Sequence, residues 1–166
     1  MIGEADTLYV VIQVAVALAG FATIVVALRD DKWRDVLDLR LFNLIICAFG
    51  ALGGSLFVIF CMHAGFVSET TYKAASVLFF VGFSAGSIAN WRRLGRIMST
   101  DKGSVSIVRL VIVNATNLAC VSLQIANIAI WAAFWPVLLA VYVLLGLACL
   151  SFIQLIGDAK WGPGGE

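Results

Sequence analysis

The sequence predicts an all-α fold, a polytopic membrane helical bundle of five transmembrane helices with the N-terminus outside and the C-terminus in the cytoplasm. Three observations predict it. The chain is 62% hydrophobic and only 13% charged, with a mean hydropathy of +1.02, whereas a soluble domain carries about 25% charged residues. Its apolar residues gather in runs that reach the roughly 20 residues needed to cross hydrocarbon. Its basic residues are sorted by position, although the net charge is only +1.

Each span has its own basis. Residues 8–28 carry only Gln13 and Thr23 as polar side chains, and 41–62 is the second apolar run. The third, 72–91, is rich in Ala, Ser and Gly. Residues 105–156 are apolar almost throughout. As one helix they would run about 78 Å, far beyond any bilayer. The chain must turn, and the expected bend is Ala132–Pro136, bracketed by Trp131 and Trp135. Pro136 suits the first turn of a new helix, where a missing N–H costs nothing. The last two spans are therefore 105–131 and 136–156, within a single membrane domain covering 1–166.

Orientation follows from Lys and Arg. Arg29, Lys32, Arg34, Arg40, Arg92, Arg93, Arg96, Lys102, Arg109 and Lys160 share one face of this topology, and only Lys73 lies on the other. The positive-inside rule makes the first face cytoplasmic. Tyr9, Tyr72, Trp131 and Trp135 fall at the outer boundary, with Trp33, Trp91 and Trp161 at the inner one, as aromatic belts do. Glu4 and Asp6 give the N-terminus no positive n-region, so the first span is expected to be retained rather than cleaved. The segment 29–40 alternates Asp30, Asp31, Asp35 and Asp38 with four basic residues. It reads as an interfacial helix or a solvated extension of span two.

Lipid offers no hydrophobic force between helices, so packing must come from small residues and polar contacts. Gly50 and Gly54 in span two, and Gly82 and Gly86 in span three, form two GxxxG pairs suited to close approach within the chain or between copies. Ala15, Ala19 and Ala22 or Thr23 line one side of span one.

Span four is unlike the others. Asn114, Asn117, Gln124 and Asn127 fall within an arc of about 140° and cover about 20 Å of axis. Arg109 lies at the cytoplasmic end of the same side. Carboxamides in lipid need partners. Either they glue helices together, or several copies of span four surround a wet path with Arg109 at its mouth.

Absences narrow the function. No Asp, Glu or Lys lies in the interior of a span, which disfavours proton relays and a retinal Schiff base. Cys47, Cys61, Cys120 and Cys149 form no C-x-x-C pair, arguing against a thiol redox centre, zinc or c-type haem. Cys61 is the cysteine nearest the outer face. It precedes Met62 and His63, a set that could attract Cu(I), but consecutive residues on a helix point apart. An interfacial histidine is the better reading. No basic stripe suggests nucleic acid, and serines such as Ser55 and Ser84 have no histidine or lysine partner at helical spacing. The expectation is a protein with no catalytic residues, metal or cofactor, whose partners are the bilayer and either its own copies or a larger membrane complex.

The run from Ala19 to Leu28 is of a kind found in many small bacterial membrane proteins and carries no family signature. The expected location is a bacterial inner (cytoplasmic) membrane. The leading functional expectation is a homo-oligomeric passive channel subunit lined by the span-four amides. Its rival is a non-catalytic accessory or scaffold subunit. A third, weaker reading is a transporter or enzyme for a lipid-like molecule.

Overall fold

The computed structural model describes the backbone of residues 3–27, 34–100 and 107–160, and the side chains of 3–24, 41–88, 91–92 and 113–154. The described residues are all-helical. In chain order they form α1 (Glu4–Ala27), α2 (Arg34–His63), α3 (Ser68–Thr100), α4 (Ile107–Ala126), a π-helical turn (Asn127–Trp131) and α5 (Phe134–Lys160). Of the predicted linker 29–40, the residues up to Trp33 lie outside the described ones, as do Lys102 and Trp161. The side chains of Arg34 to Arg40, Arg93, Arg96, Arg109 and Lys160 do so as well.

Among the described residues, four stretches are long and apolar enough to cross a membrane: Glu4–Ile24, Leu41–His63, Val113–Trp131 and Phe134–Gln154. The sequence predicts a fifth in α3, which has the length at 33 residues. Its apolar stretch, however, is diluted by Ser76, Gly82, Ser84, Gly86 and Ser87. The chain thus has the make-up of a helical membrane protein.

The chain divides into two compact units. One comprises Met1–Ala64 and Leu138–Glu166. Here α1 packs along α2. The buried positions of α1 are Leu8, Val11, Ala15, Leu18 and Ala22, and those of α2 include Leu44, Ala48, Ala51, Ser55 and Val58. Both sets alternate steps of three and four, the spacing of a left-handed helix pair. The small residues among them let two backbones approach. Along α5, Ala140, Val141, Leu145 and Ala148 are buried, and the rings of Phe21 and Phe152 meet in a tilted contact, 5.8 Å between centroids. At the start of α1, the Asp6 carboxylate accepts a hydrogen bond from the Gly3 N–H at 3.0 Å, satisfying one donor the helix leaves unpaired.

The second unit is Gly65–Val137. In it α3 packs against α4 and the π-turn. Its core side chains are Tyr72, Ala75, Phe79 and Phe83 from α3, and Cys120 from α4, with the first turn of α5 supplying Val137. Tyr72 meets Phe134 at 5.8 Å between ring centroids.

Candidate functional site: the amide-locked hairpin

The α4–α5 connection is only Ala132 and Ala133. Two residues reverse the chain because α4 ends in a wider π-turn, closed by the Ala132 N–H donating to the Asn127 carbonyl at 2.9 Å. Ala132 then takes a left-handed conformation, φ 47° and ψ 42°, the commonest way to stop a helix, though without the glycine that usually stands there. Pro136 falls within the first turn of α5, where helix geometry leaves N–H groups unpaired. Trp131 and Trp135 flank the reversal with rings 5.1 Å apart, both half-exposed.

Such a reversal strips backbone groups of helical partners, and Asn127 supplies them. Its Oδ1 accepts from the Ala133 N–H at 2.9 Å. Its Nδ2 donates to the Ala133 carbonyl at 3.1 Å and to Ser76 Oγ on α3 at 2.7 Å. One carboxamide therefore pairs with both polar groups of one residue and ties the hairpin to α3. A turn earlier, Gln124 Nε2 donates to the Pro136 carbonyl at 3.0 Å. Both side chains are fully buried. Gln124 Oε1 and Thr71 Oγ1 of α3, also buried, have no hydrogen-bond partner among the described residues.

The predicted stripe therefore divides into two halves. Gln124 and Asn127 are committed to the hairpin. Asn114 and Asn117 are half-buried farther along α4, and Asn114 engages in an interaction of its own. Arg109 stands in the first turn of α4, with its side chain outside the described residues. The sequence pointed to both locking amides but not to their partners, Ser76 and the backbone of Ala133 and Pro136. Only the Trp–Ala–Ala–Phe–Trp–Pro run hinted that a carboxamide there would have freed backbone to bond.

The glycine pairs divide similarly. A Cβ on Gly50 would lie 3.3 Å from Leu144 Cδ1 of α5, and Gly54 is buried. Gly82 and Gly86 have open space where a Cβ would be. In span one, Ala15 and Ala22 are buried, whereas Thr23 is exposed and its hydroxyl donates to the Ala19 carbonyl at 3.1 Å.

Cys61, read from its position as the cysteine nearest the outer face, is buried at 8% exposure. The exposed His63 sits in the last turn of α2 with Nδ1 2.9 Å from the Ile59 carbonyl, an ordinary helix-end contact. Among the described residues no three His, Cys, Asp or Glu side chains converge on a point that could hold a metal ion. Lys73 pairs with Glu69 one turn before it at 2.6 Å. That hydrogen bond and the lysine's charge hold the Glu69 carboxyl below its usual range. No protein family, curated protein or solved structure matches this chain.

Proposed function

We propose that this chain is a five-span integral membrane protein, N-terminus outside, serving as a non-catalytic scaffold or accessory subunit of a membrane assembly. The observation that carries this reading is the commitment of Gln124 and Asn127 to their own hairpin, buried and hydrogen-bonded within it. Asn127 is bonded at both ends of its amide and Gln124 is fully buried, so neither is placed to replace an ion's hydration shell. They act as glue, and half of the would-be lining is removed. With α3 as the fifth crossing, the basic residues collect on the cytoplasmic face, as in a bacterial inner membrane.

A second reading keeps a homo-oligomeric pore, its polar path narrowed to Arg109, Asn114 and Asn117. It is favoured by the half-burial of the two asparagines on one side of α4.

Reconstituted vesicles separate the two. A scaffold subunit leaves vesicles tight to small anions and cations, and it copurifies with other membrane chains in stoichiometric amounts. An ion leak that disappears in a folded Asn114→Leu/Asn117→Leu variant would establish the pore instead. Labelling that put Arg34 and Arg93 on opposite sides of the membrane would overturn the five-span topology under both readings.

A further inference from the structure

The side of α1 that turns away from its buried seam carries an unexpected group. Leu8, Val11, Ala15, Leu18 and Ala22 are buried. Roughly 180° around the helix lie Val10, Gln13, Ala17, Gly20 and Ile24, every one of them exposed. These five repeat the alternation of three- and four-residue steps, so α1 bears two helix-packing seams back to back. Among the described residues of its own unit, nothing occupies the second.

Gln13 sits near the middle of the candidate span Glu4–Ile24, and its carboxamide has no hydrogen bond among the described residues. At that depth no water is present to satisfy it. Its two-carbon stem is also too short to reach the headgroups, as Lys or Arg would do by snorkelling. Ala17 and Gly20 lie on the next two turns of the same face, and Gly20 has open space where a Cβ would stand. The face thus presents a buried-depth amide beside a groove that a second backbone can enter.

We propose that two copies of this chain pair in parallel through this face of α1, with the carboxamide of Gln13 bonded to the partner's Gln13. Symmetry selects a second copy over an unrelated helix. Copies inserted with the same topology are related by a two-fold axis along the membrane normal, which sets identical residues at identical depth. A primary carboxamide both donates and accepts, so it complements itself across that axis. The three–four spacing gives the crossing of a left-handed pair, with Ala17 and Gly20 at the closest approach. The pairing requires only that α1 crosses the bilayer, so its failure would leave the scaffold reading untouched, and a pore would not exclude it.

The test uses full-length protein carrying donor or acceptor dyes at its C-terminus, reconstituted in phosphatidylcholine vesicles over a range of protein-to-lipid ratios. Energy transfer should rise with protein density and saturate with one-to-one stoichiometry. Gln13→Leu, which is apolar on an outward face and should leave folding intact by circular dichroism, should weaken pairing about tenfold, within roughly three- to thirtyfold for membrane hydrogen bonds. Gln13→Asn should restore most of it. Gly20→Ile should weaken pairing by blocking the groove, while Thr23→Val, on the flank of the face, should leave it unchanged. Pairing of Gln13→Leu equal to that of the unmodified chain would overturn the proposal. So would an unmodified chain that stays monomeric at every density, or equal loss in Thr23→Val.

Discussion

The unit built on α1 and α2 and the unit built on α3, α4 and the hairpin solve one problem by different means. In the first, long helices lie side by side and their backbones are satisfied internally. What holds them is shape: Ala15, Ala22, Ala48 and Ala51 are nearly or fully buried, and they allow close approach. In the second, the chain reverses within two residues. A reversal exposes N–H and C=O groups that hydrocarbon cannot satisfy, so packing alone is insufficient and amides are recruited. Small residues hold helices where the chain runs straight, and carboxamides hold it where it bends.

The largest test of that contrast is Asn127→Leu. It removes three hydrogen bonds and leaves Ala133 without its partners, so unfolding in mixed micelles should show a loss of about 3 kcal/mol. Gln124→Leu removes one bond and also an oxygen that lacks a partner, so about 1 kcal/mol is expected. If the two variants lost equal stability, the hairpin lock would not be centred on Asn127.

Next in size is Ala132→Gly. A left-handed alanine is strained, and glycine should raise stability by about 0.5–1 kcal/mol. Ala132→Val should lower it, since a β-branched side chain tolerates that conformation worst. A thermal melt that ranked valine above glycine would deny that the turn is set by backbone strain.

The glycines sharpen the other side of the comparison. Gly50→Ala should cost up to about 1 kcal/mol, because the Leu144 methyl must give way. Gly82→Ala and Gly86→Ala meet open space and should gain up to about 0.5–1 kcal/mol through helix propensity. Opposite signs at chemically identical motifs would show that GxxxG reports packing only where a neighbour is present.

The smallest effect concerns Lys73→Ala. Its ion pair with Glu69 is exposed, so stability at neutral pH should not change measurably. Glu69 titrates below its ordinary value, so whatever the pair contributes is present above that value and fades as pH falls through the lowered one. An acid titration of the two proteins should therefore converge.

The helices and the bend were legible in the sequence because hydropathy and chain length are strong physical constraints in lipid. The break between the last two helices falls at Ala132–Ala133, inside the interval chosen from Trp131, Trp135 and Pro136. The identity of Gln124 and Asn127 as special residues was legible too, since amides within an apolar helix require an explanation. Their role was not. Periodicity gives the side of a helix and the depth of a residue, but it says nothing of backbone set free at Ala133 by the reversal, or of a Pro136 carbonyl twelve residues away from Gln124. The glycine pairs fail for a related reason. Spacing creates a groove, and only tertiary structure says whether anything fills it, as Leu144 does beside Gly50 and nothing does beside Gly82.

The two-residue turn has a consequence for biogenesis. A segment bearing Asn114, Asn117, Gln124 and Asn127 leaves the translocation channel reluctantly, since each amide raises its transfer cost. The strongly apolar Phe134–Gln154 stretch follows almost at once, with no hydrophilic tether between them. The two segments should therefore enter the bilayer together as a preformed helical hairpin. In a glycosylation-reporter assay, Val113–Trp131 alone should insert poorly and the joined pair efficiently. Moving the segments apart with a long Gly/Ser spacer should strand the amide-bearing half outside.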